Sequence, residues 1–114
     1  MTMAHHAFTA ASAGTRRPDL LIAASLAMAE SGDAAGYFDL GMTFSSGSHG
    51  TPVDLIEAHK WFNLAALSGV REGAVLRAEV AAEMGRDEIA EAQRGARAWL
   101  SQLHGGNGAQ RYAA

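Results

Sequence analysis

The apolar positions of residues 88–103 recur at steps of three and four. Ile89, Ala92, Ala96, Trp99 and Leu103 fall on one side, and Glu88, Glu91, Arg94 and Arg97 fall elsewhere, which is the period of an amphipathic helix. Residues 54–68 follow the same rule: Leu55, Ala58, Phe62, Ala65 and Ala66 make a stripe that Glu57, Lys60 and Asn63 avoid. No stretch alternates apolar and polar residues as a half-buried strand does. Helix start and stop signals divide the rest. Pro18 suits a first turn, so a first helix is predicted over residues 18–31 and closed by Gly32. Asp33 caps a second helix over 34–46, which Gly47 stops. The stretch from Gly47 to Val53 is a turn-rich loop. Asp54 with Glu57 has the spacing of a capping box and opens a third helix, running to Ser68 and stopped by Gly69. A fourth is predicted over 71–84, ended by Gly85, and Asp87 caps a fifth over 88–103. Residues 1–16 and 105–114 are small, polar or glycine-rich and are expected to form flexible tails around a helical domain spanning 17–104.

Two of these helix ends match in type. Met28-Ala29-Glu30-Ser31-Gly32 and Ala66-Leu67-Ser68-Gly69 both close with Ser-Gly, and the offset from Gly32 to Gly69 is 37 residues. At that offset Gly36 meets Gly73 and Gly41 meets Ala78, small residues in small-residue slots. A period of this length is that of a helix-turn-helix repeat, whose units bury their apolar faces by stacking on one another.

These residues resemble the Sel-one-like repeat family, a relative of the tetratricopeptide repeat, in its bacterial form. Leu40-Gly41, Phe44 and Gly47 are similar to the first helix of the family's repeat. Asp54, Ala58, Trp61, Ala65-Ala66 and Gly69 are similar to its second helix. The run from Asp54 to Ala66, and Asp87-Glu88-Ile89-Ala90-Glu91-Ala92-Gln93, are similar to bacterial members in particular. The strong match covers residues 32–69, and the flanking helices fit as half-repeats. Gly36 stands where the family has alanine, Phe44 where it has tyrosine, and Thr51 where valine is common. The resemblance implies an all-α fold, a short α-solenoid of about five antiparallel helices. It also implies adaptor work, the holding of another protein or peptide, with no catalysis.

Composition narrows the function classes. The chain has 114 residues and a formal charge of −3 with its basic residues dispersed, which argues against a nucleic-acid surface. It has no cysteine, so disulfides and thiolate chemistry are excluded. The five histidines (His5, His6, His49, His59 and His104) are scattered and lack metal-ligand spacing, so no metal and no cofactor are expected, and His59 is expected on a helix surface or half-buried. Asp54 with Glu57, and Asp87 with Glu88, sit at helix starts, where capping explains them without acid-base work. No nucleophile elbow or phosphate-cradling loop is present. The expectation is therefore no enzyme. No apolar run is long enough to span a bilayer. Arg16-Arg17 followed by the run from Leu20 to Ala29 invites a targeting reading, but Pro18 and Asp19 sit where the apolar region should begin. A cytoplasmic protein is expected. The alternative is a small secreted or periplasmic repeat protein, if residues 1–29 act as a signal peptide.

Tyr37, Phe38 and Met42 cluster on the second helix. Core packing and an apolar docking strip both account for them. In the family arrangement the first helix of each repeat lines the concave face, so Phe38 and Met42 combine with Val75 one period away. The resulting groove is edged by Arg77 and Glu79 and is the candidate partner-binding surface. The other functional class is a self-associating structural protein, a homodimer formed through open solenoid ends.

Overall fold

A computed structural model describes residues 20–105 of the chain. Pro18, the expected tail over 1–16 and the tail beyond residue 105 lie outside these. The described residues are helical, with no strand among them. Helix α1 is described over residues 20–30. It is followed by α2 (Ala34–Ser46), a 3₁₀ turn (Ser48–Gly50), α3 (Leu55–Leu67), α4 (Arg71–Ala81) and α5 (Arg86–Leu103). No helix among the described residues is long and apolar enough to cross a membrane.

The caps follow from side chains that reach back to free backbone N–H groups. Asp33 accepts from the Ala35 N–H at 2.9 Å and Asp54 from the Glu57 N–H at 3.1 Å. The backbone N–H of Asp54 donates to the Phe44 carbonyl at 2.9 Å and ties the start of α3 to the end of α2. The capping box expected of Asp54 and Glu57 is only half made. The Glu57 carboxylate turns instead to the indole N–H of Trp61 (3.0 Å) and to Lys60 Nζ (3.1 Å).

The boundary between the fourth and fifth helices differs from the sequence expectation. Helix α4 ends at Ala81 and does not reach Met84. Its last turn tightens: the N–H groups of Glu83 and Met84 bond the carbonyls three residues back, at 3.0 Å each. That brings Met84 against the core formed by Ala58, Phe62 and Val80. Helix α5 begins at Arg86 with Gly85, not Asp87, at the N-cap. Glu88 decides this, because its carboxylate accepts the Gly85 N–H at 2.8 Å. Asp87 becomes a first-turn residue that favours the helix dipole.

One helix junction occurs twice, 37 residues apart. At the end of α1 the Gly32 N–H bonds Ala29 O (2.9 Å) and the Asp33 N–H bonds Met28 O (2.9 Å). At the end of α3 the Gly69 N–H bonds Ala66 O (3.0 Å) and the Val70 N–H bonds Ala65 O (2.9 Å). Gly32 and Gly69 both lie in the left-handed region, with φ of 82° and 99°, where a side chain would be strained. The close approaches correspond atom for atom. A Cβ on Gly36 would lie 2.7–2.8 Å from Ala29 N, Met28 Cβ and Ser25 O. A Cβ on Gly73 would lie 2.9–3.0 Å from Ala66 N, Ala65 Cβ and Phe62 O. In both places the first turn of one helix rests on the backbone of the helix before it.

Helix α3 is the centre of the molecule and packs against α2, α4 and α5. The single stripe read from its sequence is therefore too narrow. Beyond Ala58, Phe62 and Ala65, the side chains of His59, Trp61 and Leu64 are also buried, because three helices cover α3. One core cluster joins Ala29, Tyr37, Leu40, Trp61, Leu64, Ala65 and Ala96. A second joins Ala58, Phe62 and Val80. Gly41 lies where α2 crosses α3, and a Cβ there would be 2.5–2.9 Å from ring atoms of Phe62. In α5 the expected stripe faces inward: Ala92 and Ala96 are buried, and Ile89, Trp99 and Leu103 are half-buried.

Candidate functional site

The five residues expected to line a groove sit in three different settings. Phe38, on α2, is half-buried and packs against both core clusters, its ring 5.7 Å from that of Phe62 and tilted by 59°. Leu76 of α4 packs on the second of these clusters, so Phe38 and α4 approach each other through Phe62. Met42, one turn on, is 43% exposed. It lines a cavity of about 310 Å3 with Leu21, Ser25, Asp39, Thr43 and Ser48, between α1 and the 3₁₀ turn. Val75 is 57% exposed and Glu79 is exposed, both on α4. Helices α2 and α4 meet at most marginally. Met42 and Val75 are therefore two separate apolar points on the surface, with half-buried Phe38 between their helices.

Arg77 is half-buried on α4. Its Nη1 donates to Asn63 Oδ1 at 2.6 Å, across the α3–α4 interface. One turn before Asn63 on α3 is His59, only 3% exposed, against the expectation of a surface or half-buried residue. Its Nδ1 is buried with no hydrogen-bond partner among the described residues. Burial, and then the Arg77 guanidinium, hold the His59 imidazole below its ordinary pKa. The neutral ring is thus the form that suits the fold.

A stability consequence follows from linkage. The unfolded chain binds a proton at His59 near pH 6.5, the ordinary imidazole value, and the folded chain binds it only at lower pH. The contribution of neutral His59 is complete above that value and is lost as pH falls from it toward the depressed folded pKa. Urea melts of the wild type and His59→Leu between pH 7.5 and pH 5.5 should show a steeper loss in the wild type. Parallel profiles would mean that His59 takes up its proton in the fold without penalty.

The aromatic residues form the best-defined side-chain constellation, and periodicity alone did not assemble it. Tyr37 stacks on Trp61 with centroids 6.0 Å apart, and Trp99 meets Trp61 edge-on at 4.8 Å. The Trp99 indole N–H donates to the Tyr37 hydroxyl at 3.2 Å. Lys60 Nζ lies 4.4 Å from the centre of the Trp61 ring. The spacing of Glu57, Lys60 and Trp61 on one helix is the signal that foretells part of it, since positions three and four apart are neighbours on a helix.

Among the described residues no three His, Asp or Glu side chains come together as metal ligands. The carboxylates of Asp33, Asp54 and Glu88 are engaged by backbone N–H groups at helix starts. No family model matches the chain, and neither a curated protein nor a solved structure matches it.

Proposed function

We propose that the chain is a short α-solenoid of antiparallel helices of the Sel-one-like type and that it works as a protein-interaction module without catalysis. The observation that carries this reading is the helix junction that recurs after 37 residues, with matching hydrogen bonds and matching glycine contacts. Stacked units of this kind present side chains of successive helices on one continuous surface. Leu40, Gly41, Ala58, Trp61 and Ala65 are buried, which agrees with a signature whose residues serve packing. Phe44 and Ala66 are half-buried beside them.

The partner surface in this reading rests on two exposed apolar points, Met42 on α2 and Val75 on α4, with half-buried Phe38 between their helices. Large apolar side chains left in water are the usual anchors of protein docking. Val75→Asp and Met42→Asp should each leave the melting temperature within about 2 °C, because neither side chain is buried. Each should weaken a partner captured from the native cell by tenfold or more. Phe38→Ala should weaken it by about 2 kcal/mol. If Phe38→Ala instead unfolds the domain by about 3 kcal/mol or more, Phe38 is core and the groove reading is given up.

One asymmetry favours self-association as a second reading. Helix α5 turns Arg86, Asp87, Glu88, Glu91, Arg94 and Arg97 to water, as a terminal cap does. Helix α1, the first described helix, exposes Leu20 (66%) and Leu21 (41%). Light scattering behind gel filtration separates the two readings: a monomer at micromolar concentration favours the adaptor, and a concentration-dependent dimer lost in Leu20→Glu favours self-association.

A further inference from the structure

The C-terminal ends of α1 and α5 come together around a cavity of about 260 Å3 lined by Glu30, Trp99, Gln102 and Leu103. Its size is below the usual range of small-molecule pockets and suits one side chain. Among the described residues that line it, the formal charge comes from the Glu30 carboxylate. Glu30 is the last described residue of α1, and Gln102 and Leu103 close α5, so two helix C-termini direct their negative ends here beside a carboxylate. Among the described residues no basic side chain lines the cavity and none pairs with Glu30. Trp99 contributes an indole whose face attracts cations. That ring is held in place by its edge-on contact with Trp61 at 4.8 Å and by its N–H bond to the Tyr37 hydroxyl at 3.2 Å.

The molecule contains a filled counterpart of this arrangement. At Trp61 the carboxylate is Glu57, and the cation is Lys60, 3.1 Å from that carboxylate and 4.4 Å from the indole centre. At Trp99 the carboxylate is Glu30, and no described residue supplies the cation.

We propose that the Trp99–Glu30 cavity binds a basic side chain, arginine in preference to lysine, presented by an extended segment of a partner protein. A planar guanidinium can stack on the indole and still donate to the Glu30 carboxylate and the Gln102 amide oxygen, which a compact ammonium does less well. The α2–α4 surface contributes nothing to this site, and either can fail without the other.

The test is a titration of the full chain with acetyl-Gly-Arg-Gly-amide, followed by ¹H–¹⁵N spectra. The two indole N–H groups report separately, since the chain has only Trp61 and Trp99. The Trp99 indole and Gln102 side-chain signals should shift while the Trp61 indole stays. The citrulline peptide, of the same shape but neutral, should bind at least tenfold more weakly, and the lysine peptide should fall between them. Glu30→Gln, at an exposed position, should bring the arginine peptide down to the citrulline level. Trp99→Phe, which keeps a ring, should weaken it about threefold. Met42→Asp and Val75→Asp should leave the titration unchanged. Equal binding of the arginine and citrulline peptides, no shift at Trp99, or full binding in Glu30→Gln would each overturn the proposal.

Discussion

Gly41→Leu is expected to destabilise the domain by about 3 kcal/mol, and Gly41→Ala by about half as much. Alanine is the better helix former by about 1 kcal/mol, so propensity alone predicts the opposite sign for Gly41→Ala. Packing decides the sign. The added Cβ would sit 2.5–2.9 Å from three ring atoms of Phe62, and Phe62 is 1% exposed with Phe38 tilted against it 5.7 Å away. The ring has no room to swing, so α2 and α3 must separate and lose contact along their whole crossing. A double-mutant cycle isolates the cause. Phe62→Leu creates space where the Cβ would go, so Gly41→Ala should be less harmful on that background, with a coupling of about 1 kcal/mol. Urea denaturation of the four proteins measures it. An additive cycle would place the cost of Gly41→Ala outside the Phe62 contact.

That crossing also illustrates what was legible in the sequence. The 37-residue offset marks Gly41 as a small residue in a small-residue slot, and the ring of Phe62 occupies the space beside it. The caps at Asp33 and Asp54, and the stops at Gly32, Gly47 and Gly69, were legible because each is a local bargain between one side chain or one positive φ and a few backbone groups. The start of α5 was not, because two carboxylates compete there. Asp87 has the better capping side chain, yet Glu88 takes the Gly85 N–H and moves the cap two residues back. Periodicity also misjudged α3, since a stripe counts one partner and α3 has three. His59 and Trp61 flank the stripe and are buried all the same, Trp61 between Tyr37 of α2 and Trp99 of α5. Spacing along one helix likewise does not say which neighbours the groove residues meet. Phe38 and Met42 are four apart on α2, but Met42 turns toward α1 and Phe38 toward Phe62. A one-turn spacing puts two residues on one side of a helix, and the angle at which neighbouring helices cross decides which of them each residue meets.

Tyr37→Ala is expected to be the most damaging single substitution, at about 4 kcal/mol. Sequence left Tyr37 open between core and docking strip, and its exposure of 2% makes it core. Its ring stacks on Trp61 and faces the edge of Trp99 at 6.5 Å, and its hydroxyl accepts the Trp99 indole N–H. Three helices, α2, α3 and α5, are therefore joined at one side chain, and α5 has few other points of contact with α2. Truncation leaves a cavity the size of a phenol between two indoles that are fixed from other sides, which limits collapse and raises the cost. Tyr37→Phe separates packing from the hydrogen bond. It keeps the ring and removes one acceptor from a half-buried indole N–H, so about 1 kcal/mol is expected. Near-ultraviolet circular dichroism should lose the tryptophan signature in Tyr37→Ala well before the far-ultraviolet helix signal falls, because α5 detaches while its own turns persist. If Tyr37→Ala costs no more than Tyr37→Phe, the ring is not what holds α5 in place, and the small-residue contact of Gly95 with Lys60 together with buried Ala92 and Ala96 must hold it instead.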